Sequence, residues 1–403
     1  MAIASTTISS WEQLLEKARQ NTPARRVKRP GQAPSTAPIP SSLHKLPPDR
    51  KPPVLLYRDS NSWCPFCERV WFALEEKEIP FETEFIDLSN KPKWYTDLVP
   101  TTLVPAAYIE GKLVYESKDI LLELEERFGE TLLPENLQEN AVARQWVDDA
   151  ETNGFRDIAY KFLRQPPEDA NELANLQAEF EAKLDEIEQA LSRYPGSYFL
   201  STFSLVDIMY SPHLDRLAAN LPVYRGYHIK ENPRFPLINA WFVALNQRPA
   251  YNRVKSDNIT NNLLLRRRFG VEPIGSPLPL DLADAELIEY RAEAAERLSD
   301  NREVAIGDIL KNSGVQSLGD ISIIKDSVDF HLRLLADYLI NGNGQLLPGG
   351  RTGGKESIDP ILAATGAITL AYVRNRICAP RDMSAGAATA FRAAVDKILT
   401  SIY

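Results

Sequence analysis

The segment Trp63-Cys64-Pro65-Phe66-Cys67 constrains this chain more than any other. It stands between residues 54–58, which read as a strand, and residues 65–77, where Val70, Phe72, Ala73 and Leu74 read as the apolar face of a helix. Residues 82–86 alternate as a second strand, so the pair of cysteines sits at a strand-to-helix junction of a βαβ unit. That context lifts C-x-x-C well above a chance spacing and points to thiol chemistry. Pro65 suits the first helical position, where its missing N–H does no harm. Cys64 then lies at the helix N-terminus, where unpaired N–H groups and partial positive charge favour thiolate over thiol. Cys64 is the expected nucleophile. Cys67, one turn inward, is either a resolving thiol or a buried bystander. The competing readings are two structural cysteines or half a zinc site. Zinc needs further ligands, and no second Cys or His pair supplies them.

The rest of this unit follows the same strand-and-helix pattern. Residues 106–109 and 113–115 flank Glu110-Gly111-Lys112, a hairpin turn. Ser117 opens a helix carrying Ile120, Leu121 and Leu124 that ends near Gly129. Between them, Leu103-Val104-Pro105-Ala106 places a proline just before a strand that faces the C-x-x-C helix. A cis Val104–Pro105 bond there would turn the Val104 N–H and C=O toward a peptide-like ligand. A helix start at Ser117 can receive a carboxylate, Glu116 can pair with an ammonium group, and Lys91 can hold a second carboxylate. One α-amino acid head and one distal carboxylate around a thiolate describe glutathione.

On these residues the segment 64–128 resembles the thioredoxin-like domain of a cysteine-type glutathione transferase. It is close to the omega pattern in Cys64-Pro65-Phe66, Glu68-Arg69, Asn90-Lys91-Pro92, Leu103-Val104-Pro105 and Tyr115-Glu116-Ser117. The resemblance implies glutathione contacts at Phe66, Lys91, Val104, Pro105, Glu116 and Ser117. It also implies that the helical stretch 140–257, with its box Ser204-Leu205-Val206-Asp207, is the all-α second domain. Cys67 departs from the small residue usual in omega enzymes, and the chain continues for over a hundred residues past the usual end. Both features resemble the iota class of photosynthetic organisms.

At 403 residues the chain is long enough for two or three folding units. The expected order is an arm over 1–52, partly disordered or strapped to the surface, then a thioredoxin-like glutathione-binding domain over 53–130. An all-α domain over 140–257 and a helical extension over 272–403 follow. In the arm, Ser9 and Ser10 can cap a short helix from Trp11, after which the chain turns basic and Pro-rich. Two long periodic runs, 141–164 and 172–192, read as helices, and 258–280 read as a connector. In the extension the expected helices are 282–298, 304–310, 321–340, 358–377 and 385–402.

A net charge of -9 disfavours a general nucleic-acid or anionic-membrane binder. The most apolar run, 361–373, falls far below the roughly 18–20 residues that cross a bilayer. Three cysteines make no secreted disulfide framework, and four histidines leave little for a metal cluster. The expected setting is a reducing cytoplasm, with the plastid stroma as the alternative for a plant or alga. No metal is expected, and glutathione is the expected cosubstrate.

Lesser signals read as structural. Residues 349–355 imitate a phosphate loop, but Glu356 stands where Ser or Thr should hold magnesium. Cys378 and His331 read as packed residues. Tyr224, Tyr227 and Trp241 form a weak candidate acceptor pocket. The expected activity is glutathione-dependent thiol transfer on a small electrophilic or glutathionylated acceptor, by a monomer or homodimer. The alternatives are a ligand-binding or partner-docking module built on the helices, or an extension that only covers a surface.

Overall fold

The computed structural model describes residues 8–22, 50–61, 63–129, 131–165, 170–342 and 360–402. Residues 25–48 of the arm and the loop 349–355 lie outside the described residues. The chain divides into two compact units, Ile39–Leu278 and Met1–Pro38 with Pro279–Tyr403. The first helix of the chain, α1 (Trp11–Asn21), belongs to the second of these.

The unit Ile39–Leu278 begins with a βαβ turn: β1 (Val54–Asp59), α2 (Pro65–Glu76) and β2 (Phe81–Ile86). The short α3 (Lys93–Leu98) leads to the hairpin β3 (Ala106–Ile109) and β4 (Lys112–Tyr115), and α4 (Ser117–Arg127) closes the fold. The four strands run in the order β2-β1-β3-β4. β1 pairs parallel with β2, Val54 opposite Phe81, and antiparallel with β3, Val54 opposite Ile109. Strand alternation sorts the side chains. Val54, Leu56, Ala107 and Ile109 face the core under α2 and α4, while Tyr57 and Ala106 pack on the other face against Tyr95 and Val99. This is the thioredoxin-like architecture expected for the segment.

A helical layer follows: α5 (Leu137–Asp149), α6 (Phe155–Arg164), α7 (Ala170–Leu191), α8 (Leu205–Arg225), α9 (Pro236–Asn246), α10 (Pro249–Val254) and α11 (Asn258–Phe269). The expected single helix over 141–164 is two, because Gly154 takes a left-handed φ of 75° and caps α6. The expected connector over 258–280 is helical as far as Phe269. Asp257 caps its start by accepting from the Thr260 N–H at 3.0 Å, and Gly270, at φ 64°, ends it. The central helix is α8, buried on nearly every side. Its start is the capping box read in the sequence: Asp207 accepts from the Ser204 N–H at 2.9 Å and from Trp241 Nε1 at 2.8 Å. Burial pushes the Asp207 carboxyl up to about 6, against the pull of those donors.

The other unit contains α1, α12 (Leu282–Glu286), α13 (Ile288–Asp300), α14 (Arg302–Asn312), α15 (Ile321–Asn341), α16 (Pro360–Arg376) and α17 (Ala385–Ile402). The expected helix 282–298 is broken at Leu287, which adopts an extended conformation and caps α13. Alanines 294, 295, 387, 388 and 394 line the core and let α13 and α17 approach closely. α1 carries Trp11, Leu14 and Ala18 at helical spacing, all buried against α13 and α15. Ser10 and Gln13 form its capping box, and Trp11 Nε1 donates to Asp329 Oδ1 at 2.7 Å. The residues expected as an arm therefore supply one helix to a packed core.

Candidate active site

β1 ends in Asp59, a carboxylate only 1% exposed. It accepts from three amides of the following loop, those of Asn61 at 2.9 Å, Trp63 at 2.5 Å and Cys64 at 3.0 Å. A buried charge needs such partners, and here they draw the strand-to-helix loop tight. Cys64 becomes the N-cap of α2 with Pro65 at the first helical position, as the sequence pattern requires. Asp59 itself was not legible in advance, since it lies before the motif and carries no spacing signal.

The Cys64 sulfur accepts from the Cys67 amide at 3.4 Å and lies 3.7 Å from the Val104 carbonyl oxygen. Both cysteines are free thiols. Hydrogen bonding from the Cys67 side chain, then from its amide, holds the Cys64 thiol below the usual range, with help from the Arg216 guanidinium; burial and Asp59 oppose this. Burial and the neighbouring Cys64 push the Cys67 thiol well up. The two thiols are thus driven apart, the outer toward thiolate and the inner toward thiol.

Behind the motif lies a charged network that the sequence did not announce. Arg216 of α8, 1% exposed, donates Nε to the Trp63 carbonyl at 2.7 Å and pairs with Glu68 at 2.8 Å. Burial pushes the Glu68 carboxyl up to about 7, with Arg216 pulling the other way. Arg69, equally buried, donates Nε to the Met209 carbonyl at 2.9 Å, reaches Ser117 Oγ at 3.4 Å and pairs with Glu151. Through backbone carbonyls Arg69 ties α2 to α8, and Arg216 ties α8 to the loop that carries Trp63 just before Cys64.

Cys64 opens onto a cavity of about 650 Å³, within the usual range for small-molecule sites. Phe66, Lys91, Val104, Pro105, Glu116 and Ser117 all line it. Six residues scattered over fifty positions of sequence therefore line one cavity with Cys64. The Val104–Pro105 peptide is cis. Glu116 holds a positive φ of 68°, a conformation that costs a non-glycine residue about 1 kcal/mol or more. Its exposed carboxylate meets no cation among the described residues, and it stands at the N-terminus of α4. The Lys91 ammonium donates to the Thr102 carbonyl at 2.8 Å and keeps further N–H groups for a ligand. The lining offers a carboxylate and a helix start together with an ammonium group. A peptide with an amino-acid head and a distal carboxylate fits that donor set. Arg268, at the end of α11, lines the same cavity and was missed with its helix.

A second cavity, of about 600 Å³, adjoins the first and shares Phe66 and Arg156 with it. Trp63, Tyr160, His213 and Phe269 supply its aromatic lining. Here the structure corrects the expected acceptor pocket. Tyr224, Tyr227 and Trp241 are core residues, 2%, 8% and 0% exposed, and line neither cavity. Tyr224 donates to the Asn262 carbonyl at 2.7 Å, and Trp241 is spent on Asp207. Aromatics spaced along buried helices pack as core, and the cavity takes its rings from the motif and from the helix ends. Among the described residues, no three His, Cys, Asp or Glu side chains converge as metal ligands would.

Residues 63–127 match the family model described as "Glutathione S-transferase, N-terminal domain", and residues 170–244 that of "Glutathione S-transferase, C-terminal domain". The rice (Oryza sativa subsp. japonica) protein IN2-1 homolog A is 35% identical over 200 residues, 48% of this chain and 78% of that one. The Arabidopsis thaliana chloroplastic glutathione S-transferase L2 is 30% identical over 48% of this chain and 64% of its own length. Among solved structures, glutathione transferase Omega 3C of Trametes versicolor is 27% identical, with a TM-score of 0.45. That match covers 52% of this chain and 91% of the other.

Proposed function

The chain belongs to the glutathione S-transferase superfamily, in its cysteine-type branch, and on that premise we propose a glutathione-dependent thiol–disulfide oxidoreductase with Cys64 as nucleophile. The observation that carries this reading is the Cys64 sulfur, held toward thiolate by Cys67 at the edge of a cavity that also holds Lys91, Glu116 and Ser117.

The Cys64 thiolate attacks the glutathione sulfur of a glutathionylated acceptor. A protein–glutathione disulfide forms, and the acceptor leaves as its thiolate with the electron pair of the broken S–S bond. A second glutathione, as thiolate, attacks that disulfide, releasing oxidised glutathione and restoring Cys64. In this reading Glu116 and the start of α4 hold the amino-acid head of glutathione, Lys91 its distal carboxylate, and the Val104 backbone its peptide. Phe66 and Pro105 wall the cavity. Cys67, held as a thiol, is dispensable for this route and available as an intramolecular resolving group. A cysteine nucleophile favours reduction over conjugation. Conjugation needs a hydroxyl that stabilises free glutathione thiolate, whereas a cysteine forms a disulfide with it.

The Cys64–Cys67 pair and the helical extension support membership of the iota class. No helix among the described residues is long and apolar enough to cross a membrane. The chloroplast assigned to one relative by its name supports the plastid stroma beside the cytoplasm as a compartment to test by fractionation.

The deciding assay is thiol transfer from a glutathionylated model substrate. Cys64→Ser is expected to lower kcat/KM by at least about a thousandfold. Full activity in that variant would remove Cys64 from the mechanism.

A further inference from the structure

The acceptor cavity beside the thiol has a composition of its own. Its rings pair up: Trp63 with Phe269 at 5.6 Å between centroids, and His213 with both Phe66 at 5.4 Å and Tyr160 at 5.8 Å. These separations suit aromatic packing, and an inserted ring would extend it. The cavity also carries three cations, Arg156, Lys161 and Arg164, against one carboxylate, Asp157. Arg156 is engaged, by Asp157 at 3.3 Å and by Glu151 at 3.4 Å. Lys161 and Arg164 are not paired with any carboxylate among the described residues. Both are exposed on the face of α6 that borders the cavity. The Arg164 guanidinium instead lies over rings, 4.6 Å from the centroid of Phe269 and 5.0 Å from that of Tyr160. In a chain of net charge -9, two cations at one aromatic mouth that meet no carboxylate among the described residues stand out.

We propose that the acceptor moiety released by this enzyme is an aromatic ring bearing a negative charge, seated among Trp63, Phe66, Tyr160 and Phe269 and steered by Lys161 and Arg164. The proposal rests on the thiol-transfer reading above and adds the class of leaving group. The glutathione half of the mixed disulfide lies in the first cavity and the aryl half in the second, on either side of Phe66 and Arg156. Cys64 thiolate attacks the glutathione sulfur, the glutathione–aryl S–S bond breaks, and the aryl thiolate departs with the electron pair into the cationic cavity. The protein sulfur is oxidised to the mixed disulfide and the aryl sulfur is reduced.

The test compares three mixed disulfides of glutathione on the full chain: with 5-mercapto-2-nitrobenzoate, with 4-nitrothiophenol, and with 2-mercaptoethanol. The first two are coloured on release and differ by a carboxylate. Lys161 and Arg164 carry no part of the thiol machinery, so the double variant Lys161→Ala/Arg164→Ala is read as a ratio. The expected result is a loss of about fivefold to tenfold in kcat/KM for the carboxylated aryl substrate, and less than about twofold for the other two. Lys161→Glu alone is expected to act in the same direction, and added salt to shrink the difference. Equal effects on all three substrates, or no effect on any, would overturn the proposal while leaving thiol transfer intact. Failure of the unaltered protein to turn over any of the three overturns both readings.

Discussion

The Cys67 amide donates to the Cys64 sulfur at 3.4 Å, so the helix that carries both thiols turns one of its own unpaired N–H groups onto the outer one. Only the thiolate is alkylated rapidly. Labelling of Cys64 by iodoacetamide is therefore expected to be slow in acid and to rise through its lowered pKa, levelling before an ordinary cysteine does. Cys67→Ala removes the side-chain donor but keeps the amide, and its profile is expected to shift toward higher pH. An unshifted profile would show that the amide alone sets the thiolate. Mass spectrometry of the labelled peptide reads both.

Glu68 and Arg216 make a second pH-dependent pair. Glu68 is held up to about 7 by burial, against its usual 4.5. Its raised value means the fold binds that proton more tightly than the unfolded chain does. The stability this contributes is full below about pH 4.5 and is lost as pH rises through 7. Glu68→Gln is expected to flatten the fall in unfolding free energy between pH 5 and 8 by about 1–3 kcal/mol relative to the unaltered protein. Urea titrations at several pH values measure it, and parallel slopes would refute the assignment.

Glutathione affinity tests the two charged side chains assigned to the ligand in the first cavity. Lys91→Ala and Glu116→Gln each remove one charge from a charge-assisted contact, for which about 1–2 kcal/mol is typical. Each is expected to raise the glutathione KM about tenfold while changing kcat little, because neither group touches the reacting sulfur. A fall in kcat with unchanged KM would move them out of the binding role.

Leu14 of α1 is fully buried against the other helices of its unit. Leu14→Ala is expected to cost about 2–4 kcal/mol in that unit and nothing in the glutathione-binding one. Chemical denaturation followed by proteolysis of each unit distinguishes them. An arm that merely lay on the surface would show no such loss.

The thiol, its cavity and the thioredoxin-like order were legible because local chemistry marks them. Cys-Pro-Phe-Cys sits at a helix start, Val104-Pro105 before a strand, and Glu116-Ser117 at a helix entry. The network that steadies them was not. Arg216 acts on Trp63 across 153 positions and Arg69 on Glu151 across 82, and nothing local distinguishes a buried arginine from a solvated one. α11 reads as a connector in sequence because its buried residues, Thr260, Asn261, Asn262 and Leu265, are mostly polar and show no apolar stripe. With it went Arg268 and Phe269, which border the two cavities. Tyr224, Tyr227 and Trp241 mislead for the opposite reason: in sequence, a ring in a helical layer looks the same whether it fills a core or lines a pocket.

The contact between Trp11 and Asp329 spans 318 positions, and the whole glutathione-binding unit lies between its ends. During synthesis α1 leaves the ribosome long before α13 and α15, the helices that cover its apolar stripe. At roughly 5–20 residues per second that wait is on the order of tens of seconds, ample time for the intervening domain to fold. Throughout that interval Trp11, Leu14 and Ala18 have no core to enter, so the stripe stays open to water until α13 and α15 are made.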